Sequence, residues 1–578
     1  MKKQVLSFFV LSCFVFVSLA PAASGQDETA VDFFSYDRFI KSFRFNLTAD
    51  RPVLLIDDTG TKEAFKKIEN DSTAGLITSR EPENKAPQPA KKVKSKKLGR
   101  AILFNLGVWL IDSTRYWLEY AKWVEDWQFQ LNWKDQSRRI FQFEGNKFDS
   151  NPFLTNWTHG LSGAIYYNFA RYHRLNILES VLFEVASSFW WEYVTEWREV
   201  ISVNDNFFSG IGGMPIGEPM FQIGRYLQDQ KGIPRVLGML LNPMMALSEL
   251  FGGRKWRRSF DDPLYKPRFD FFLGGQTLDY TGDEDLDNKF FDVGIDIRLH
   301  TIPGFGEASE NKINRYHNNT MFTRMAFRLS FSENGVEEYN FFTRAFIFGR
   351  FRQEIKKDAA NRLRGHSLFF GAASAFDLFK KRAVAYYDIP EYHYDFAGGE
   401  QAEQPTEFSD KMAIINLIGP ALDLTVYSGQ AQFRLSLGAY LDFALINALS
   451  LNKYSLTNDI YNPRMKTTMV HYGYYYAFGF TLSGSAGVRY RNFELEGSLK
   501  YQYYDSIEGL DRFQDWLDDD CNLNDSRLVY KAAIGYILGR SPVKLFLACE
   551  GIERKGWLKE VTQQYSEFRF YWQLKLSF

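Results

Sequence analysis

One histidine and three acidic side chains in the first half of the sequence are the residues best suited to chemistry. His159 follows the run Asn156-Trp157-Thr158, Glu192 and Glu196 lie four residues apart, and Asp205 ends the run Ser202-Val203-Asn204. A histidine beside carboxylates can act as a general base or as a metal ligand, with the carboxylates assisting it. We therefore take His159, Glu192 and Asp205 as the candidate catalytic residues.

The spacing of these residues does not match the common hydrolase motifs. His159 and His173 do not have the HExxH spacing of a zinc site. The run Gly160-Leu161-Ser162-Gly163-Ala164 narrowly misses the G-x-S-x-G pattern of a nucleophilic serine and lies in a predicted helix. We therefore expect no metal ion and no cofactor, and the residues favour a binding role over an enzyme.

The same segment also fits a binding site or a purely structural network. Trp157, His159, Tyr167, Arg171, Glu192, Glu196 and Asp205 could line a site for a lipid headgroup or another envelope molecule, in which the aromatic rings hold the apolar part. Alternatively, the polar groups bond to one another and lock the helices together. Binding or transport of a small amphiphile, hydrolase or acyltransferase activity, and a structural role all remain open.

The order of motifs in this segment resembles a known family. The pattern N-W-x-H-G-x-x-G-A-x-Y-Y-N-x-A-R is followed by W-E-Y, S-x-N-D and G-G-x-x-x-G-E. It resembles a family of bacterial envelope proteins catalogued as domain-of-unknown-function family 3943, over roughly residues 105–220. The resemblance implies an envelope protein and supplies no activity, because the function of the family is not established.

The elements that position these residues are predicted to be helices. Over residues 101–255 apolar residues recur at spacings of three and four, which is typical of helices, and we predict four or five of them. At 100° per residue Glu184, Ser188, Glu192, Glu196 and Glu199 share one stripe of a helix. An acidic stripe on an otherwise apolar helix predicts that the carboxylates face partners such as His159 or Arg171.

The second half of the chain, residues 263–578, has the period of β-strands. Its last stretch, Glu567–Phe578, alternates apolar Phe568, Phe570 and Trp572 with polar residues, and similar stretches recur upstream. The aromatic content is 17%, which suits an aromatic-girdled barrel. We predict an α+β protein with a transmembrane antiparallel β-barrel of about twelve strands. Mixed charges on its polar face predict a salt-bridged interior.

Loop lengths support a barrel with short turns on one side and long loops on the other. Two segments break this rule, because 301–318 is long where a short turn is due and 332–336 is short where a long loop is due. Either an early strand is miscounted or the long segment has a role of its own.

The N-terminal part predicts export. Residues 1–26 read as a secretory signal, and residues 27–100, with a proline- and lysine-rich linker, as poorly structured. The net charge of −1 gives no reason to expect a nucleic-acid partner.

We therefore predict a Gram-negative outer-membrane protein whose helical domain is periplasmic or lies in the barrel lumen. The predicted partners are outer-membrane lipids and, through the C-terminal strand ending at Phe578, the barrel-assembly machinery. The sequence does not determine the oligomeric state.

Overall fold

The computed structural model describes residues 97–120, 128–252, 266–280, 289–302, 304–317, 322–333, 335–390, 405–458, 464–539 and 541–578. The predicted signal over 1–26 lies outside these residues, and so do residues 27–96 of the segment predicted to be poorly structured.

Eight helices precede the sheet in the part of the chain that the structure describes. They are α1 (Leu98–Arg115), α2 (Trp133–Phe141), α3 (Phe153–Tyr172), α4 (Ile177–Trp190), α5 (Val203–Gly210), α6 (Gly213–Gln228), α7 (Ile233–Leu241) and α8 (Pro243–Gly252). Single π-helical turns, Tyr116–Tyr120 and Trp191–Thr195, extend α1 and α4. The sequence predicted four or five helices because breaks as short as the two residues between α5 and α6 leave the apolar period almost intact.

Polar caps begin several of these helices. Asn176 and Glu179 form a reciprocal capping box at the start of α4, where each side chain accepts a hydrogen bond from the backbone N–H of the other. None of the described helices is long and apolar enough to cross a membrane.

Twelve antiparallel strands within the described residues close into one barrel. They are β1 (Lys266–Tyr280), β2 (Lys289–His300), β3 (Phe322–Ser332), β4 (Gly335–Lys357), β5 (Leu363–Pro390), β6 (Pro405–Ser428), β7 (Ala431–Asn447), β8 (Tyr474–Tyr490), β9 (Phe493–Ser506), β10 (Leu523–Ile537), β11 (Val543–Leu558) and β12 (Val561–Ser577). Each strand pairs with the next, and β12 pairs with β1 from Glu567 opposite Tyr280 to Ser577 opposite Asp270. The predicted fold class is confirmed.

The two faces of the wall differ as the alternation predicted. On β12, Phe568, Phe570 and Trp572 are exposed on the outer face, whereas Arg569 and Tyr571 are fully buried on the inner face. Arg569 crosses the lumen to Glu338 of β4, with Nη2 donating to Oε1 over 2.7 Å. Similar cross-lumen pairs join β9 to β5 and β11 to β6. The interior is a network of paired charges, as the mixed signs predicted.

Loops of the barrel fill both of its ends. We call the end where β1 begins and β12 ends the proximal end, and the other the distal end. The long segment between β2 and β3 packs Ile302, Phe305 and Ile313 against inward-facing Phe346 and Phe351 at the proximal end. At the distal end two short helices of the β7–β8 loop, α9 (Leu449–Ser455) and α10 (Thr467–Tyr472), pack against inward-facing strand residues. The exception to the loop rule is thus a real feature of the fold.

Helices α3, α5 and α6 pack against the outer face of the barrel. Phe376, Ile415 and Phe443 are directly opposite one another across β5, β6 and β7, and they point away from the lumen. All three are fully buried under the helices, and the ring of Phe207 stacks on Phe443 with centroids 4.2 Å apart. Of the two placements that the sequence left open, periplasmic or in the lumen, the lumen is therefore wrong for these helices.

Candidate functional site

His159 and Asp205 meet where α3 passes α5. The imidazole Nε2 lies 3.6 Å from Asp205 Oδ2, and the side chains are 27% and 6% exposed. Ser202 begins α5 by accepting a hydrogen bond from the Asp205 backbone N–H, and Asn204 Nδ2 donates to Asp205 Oδ1 over 2.9 Å. The S-x-N-D motif therefore holds the carboxylate that faces the histidine.

Two of the sequence motifs are joined to each other and to the barrel. Asn204 Oδ1 accepts hydrogen bonds from Asp149 N and Ser202 Oγ, and Asn204 Nδ2 donates to Asn156 Oδ1 over 2.9 Å. Asn156 Nδ2 in turn donates to the hydroxyl of Tyr474, the first residue of β8, over 2.6 Å. The pair His159–Asp205 is thus fixed relative to the distal end of the barrel.

Four further carboxylates gather around this pair. Together with Asp205 they form what we call the carboxylate cluster: Asp149, Glu192, Glu196, Glu199 and Asp205. Glu192 Oε2 accepts a hydrogen bond from Ser202 N over 2.8 Å, and Glu196 Oε1 accepts one from Trp191 Nε1 over 2.8 Å. Glu199 accepts a hydrogen bond from the Tyr116 hydroxyl. The Glu192 carboxylate thus stabilises the start of α5.

Burial changes the protonation of the cluster. It raises the pKa of Glu192 and of Glu196 far above the usual range, and neighbouring carboxylates raise both further. Burial raises the pKa of Glu199 to about 7. It also raises the pKa of Asp205 to about 6, against the lowering effect of His159. Near neutral pH the cluster is therefore partly protonated, and it can both donate and accept hydrogen bonds.

Two arginines border the cluster. The buried guanidinium of Arg139 donates to the backbone carbonyls of Glu192, Glu196 and Glu199, so its donors hold the end of α4. Arg512, in the distal loop between β9 and β10, forms an ion pair with Asp149 and lies 3.9 Å from Glu199. The cluster thus spans the helices and a barrel loop.

Six aromatic rings lie near the end of α4, and two of them, Trp191 and Tyr116, donate hydrogen bonds to Glu196 and Glu199. Trp109 stacks on Trp190 and Trp117 on Trp197, with centroids 5.1 and 5.7 Å apart. The remaining rings are those of Trp191 and Tyr116, which meet edge to face at 6.2 Å. We call Trp109, Trp117, Trp190, Trp191 and Trp197 the tryptophan group.

Two of the predicted site residues belong to a different network. Arg171 Nε and the Tyr167 hydroxyl both donate to Glu218 Oε2 over 2.7 Å, and Gln222 Nε2 donates to Glu218 Oε1 over 2.7 Å. Tyr167 is eight residues beyond His159, which is about 12 Å along a helix. The prediction that Tyr167 and Arg171 join His159 is therefore wrong, because distance along α3 separates them.

The predicted acidic stripe also divides. Glu184 belongs to α4, and its fully buried side chain lies against the start of α6. A Cβ atom on Gly213 would lie 2.4 Å from Glu184 Oε1. Only Glu192, Glu196 and Glu199 reach the cluster. Trp157, another predicted binding residue, packs against the core between helices and barrel.

Sequence reasoning missed Asp149, Tyr116 and Arg512. Arg512 is separated from Asp149 by 363 residues, and no local pattern joins a loop arginine to a helical domain. Within the described ranges no group of three or more His, Cys, Asp or Glu side chains is placed to hold a metal ion. The expectation of no cofactor stays a prediction.

Comparison with solved structures returns outer-membrane barrels at low similarity. OmpT of Vibrio cholerae is 6% identical, with a TM-score of 0.20, over 54% of this chain and 97% of that one. The KdgM porin in complex with disordered oligogalacturonate is 10% identical, with a TM-score of 0.18, over 54% and 99%. The translocator domain of the autotransporter NalP from Neisseria meningitidis is 10% identical, with a TM-score of 0.17, over 58% and 97%. The pairing of the twelve strands, closed by β12 with β1, defines the barrel.

A comparison with curated proteins finds no match. The sequence model of one family, the domain of unknown function DUF3943, matches residues 145–244. This range contains α3 to α7, all five members of the carboxylate cluster and His159. The resemblance to this family is confirmed, but the match begins at 145 and ends at 244, whereas the sequence predicted roughly 105–220. The segment that builds the His159–Asp205 site is therefore the segment that matches DUF3943, and it is attached to the outer face of a twelve-strand β-barrel.

Proposed function

We propose that this chain is an outer-membrane protein that binds the polar end of an envelope lipid or a similar amphiphile at the His159–Asp205 pair. The observation that carries the proposal is a partly exposed histidine beside buried carboxylates and a tryptophan group, at the distal end of the wall. Buried titratable groups with raised pKa values concentrate at functional sites. Stacked rings beside them suit the apolar part of an amphiphile.

The barrel supports the outer-membrane location. A closed sheet leaves no unpaired strand edge, so every strand can lie in hydrocarbon. Large apolar residues are exposed on the outer face away from the helices, including Leu482, Leu495, Ile534 and Trp572. These features are those of a bilayer-spanning barrel.

Passage through the lumen has less support than binding on the helices. Both ends of the lumen contain apolar loop residues, and the centre contains paired charges such as Arg569 with Glu338. We therefore assign the barrel the role of an anchor that presents the helical domain. Transport, if it occurs, would follow the outer face.

A hydrolase or acyltransferase is the second candidate, and the His159–Asp205 pair is the observation that favours it. In such an enzyme Asp205 would orient the imidazole and His159 would act as general base. Glu192 is already bonded to Ser202 N, so it would position α5 and not touch a substrate. The Ser202 hydroxyl donates to Asn204, which leaves it a poor nucleophile.

Lipid extraction with mass spectrometry tests the binding function. The wild type, His159→Ala and the control His366→Ala, which removes an exposed histidine near the proximal end, are purified identically. We expect one amphiphile class enriched in the wild type and control, and lost in His159→Ala. No enrichment in the wild type refutes binding. If an amphiphile does not copurify with the protein but accumulates chemically unaltered in cells carrying His159→Ala, it is a substrate, and this result favours the enzyme.

A third outcome identifies a purely structural network. In that case His159→Ala and Glu192→Ala lower the unfolding midpoint of the helical domain and leave the lipid profile unchanged.

The proposed contact of the barrel-assembly machinery with the strand ending at Phe578 is independent of these results. The Phe578 side chain is 67% exposed at the proximal end, where a partner can reach it.

A further inference from the structure

The wall residues covered by the helices are part of the apolar outer band of the barrel. Phe443 is buried, whereas Phe478, directly opposite it on β8, is 46% exposed on the same outer face. At the other edge, Ile297 and Met325 are buried under α6, next to exposed Phe271 and Phe327. The covered patch thus has exposed apolar neighbours on both sides. The helices occupy positions that lipid occupies elsewhere on the wall.

The surface that the helices present away from the barrel is also apolar. On α1, Leu103, Leu110 and Ile111 are 68%, 69% and 70% exposed. On α4, Leu178 and Leu182 are 68% and 60% exposed. Soluble proteins rarely expose contiguous apolar patches of this kind.

The charge pattern of α1 also indicates a surface that does not face water. From Ala101 to Ile111 the helix has no charged residue, although Leu103, Leu110 and Ile111 are 68–70% exposed. The tryptophan group lies at the end of α1 and α4 that faces the distal loops, where an aromatic belt marks the membrane interface.

We infer that the helical domain lies beside the barrel at the depth of the hydrocarbon layer of the bilayer. Lipid acyl chains then contact the outer surface of α1 and α4. The occupant is a phospholipid bilayer, because this surface continues the lipid-facing band of the wall on both sides. The placement differs from both that the sequence left open, a periplasmic domain and a plug in the lumen. It does not depend on the proposed amphiphile site.

Site-directed spin labelling tests the inference on the full chain. The three cysteines of the chain, Cys13, Cys521 and Cys549, are first replaced by alanine, so that each variant has a single thiol to label. Single cysteines are then introduced as Leu103→Cys, Leu110→Cys and Leu182→Cys, and the labelled protein is placed in vesicles of phosphatidylethanolamine and phosphatidylglycerol. The measurement is the relaxation caused by oxygen, which concentrates in hydrocarbon, relative to that caused by a water-soluble nickel chelate.

Two positions on the barrel calibrate the measurement. Leu547→Cys lies on the lipid-facing side of β11, where the residue is 49% exposed, and Arg364→Cys lies beside the proximal turn. We expect oxygen-to-nickel ratios at 103, 110 and 182 that match position 547 and exceed position 364 several-fold. Ratios like that of position 364 would overturn the inference in favour of a water-exposed domain. Low relaxation by both reagents would also overturn it, because a protein partner or second copy then covers the surface.

The proposed function and this placement fail separately. His159→Ala removes the bound amphiphile if the proposed function is correct, and it leaves the accessibility at Leu103 and Leu110 unchanged. If His159→Ala leaves the lipid profile unchanged while Leu103 and Leu110 show the accessibility of hydrocarbon, the binding function is refuted and the placement is not.

Discussion

Replacing Gly163 by alanine tests how the helical domain is assembled. An ideal Cβ atom at Gly163 would lie 2.3 Å from the backbone oxygen of Ser209, in α5, and a Cβ atom at Gly213 would lie 2.2 Å from the Gly163 carbonyl carbon. These neighbours are backbone atoms, so no side chain can rotate away. Gly163→Ala therefore requires α3 to move away from α5.

The expected cost follows from two opposing effects. Overpacking a tightly packed site costs about 1–3 kcal/mol, and contact with backbone places this site at the upper end. Alanine is favoured over glycine in a helix interior by about 1 kcal/mol, which offsets part of the cost. We expect a net loss of about 2 kcal/mol. Because α3 carries His159 and α5 carries Asp205, the same shift separates the pair and weakens amphiphile binding.

Tryptophan fluorescence during denaturant unfolding measures this loss, since nine of the 13 tryptophans lie between Trp109 and Trp197. Heat-modified electrophoretic mobility reports separately on the barrel. Gly107→Ala is the matched control, because it lies within α1 with no heavy atom within 4 Å of its Cβ position. The control is expected to be as stable as the wild type or more so. If Gly163→Ala unfolds at the same denaturant concentration as Gly107→Ala, the close crossing of α3 with α5 does not exist.

Three further predictions use the same preparation. Arg171→Met leaves Glu218 buried without its cation and lowers the unfolding free energy by about 3–5 kcal/mol; Arg171→Met with Glu218→Gln recovers part of this, and fully additive losses would disprove the pairing. Burial raises the pKa of Asp205 to about 6, so the unfolding free energy increases as pH falls from about 6 to about 4. Asp205→Asn removes the contribution of this carboxylate and makes the profile less steep, whereas Glu199, whose pKa burial raises to about 7, keeps part of the slope. An unchanged profile would count against the buried Asp205 carboxylate. In planar bilayers we expect no steady porin-sized conductance, and its appearance would contradict the filled lumen.

The barrel could be predicted because its evidence is local. The stretch Glu567–Phe578 alternates residue by residue, and the exposed and buried sides of β12 follow that alternation. Strand number follows from counting such stretches, and the unusual loop after β2 was visible as a departure from the length rule. Closure needs no further information, because a membrane-spanning sheet cannot leave an edge unpaired.

The site could be predicted only in part because its contacts are not local. The types of His159 and Asp205 indicated an acid–base pair, and the structure brings them together. Arg171 was wrongly assigned to the site of His159, because two residues on the same face of a helix can still lie far apart along its axis. The position of the helices outside the wall could not be predicted, since Ile415 and Phe443 read like lipid-facing residues and are covered by protein instead.

If the helices lie in the bilayer, burying apolar wall residues does not by itself hold them in place. Lipid tails are as apolar as leucine, so helix and lipid compete for the wall on equal terms. Attachment then depends on close packing and on the hydrogen bonds at the distal end. The hydroxyl of Tyr474 accepts from Asn156 and donates to the Asn151 carbonyl, while the Tyr476 hydroxyl donates to the Asp149 carbonyl.

Tyr474→Phe separates this account from hydrophobic docking. In a bilayer each such hydrogen bond contributes about 0.6–2 kcal/mol, so we expect the unfolding free energy of the helical domain to fall by about that amount or more. Tyr503→Phe is the control, because its hydroxyl also lies on the outer face but donates to Asn524 within the barrel. A helical domain held by hydrophobic burial in water would tolerate both changes equally. Equal unfolding free energies for the two variants would therefore contradict attachment through hydrogen bonds, and with it the reason why the distal tyrosines of β8 face the N-W-x-H-G motif.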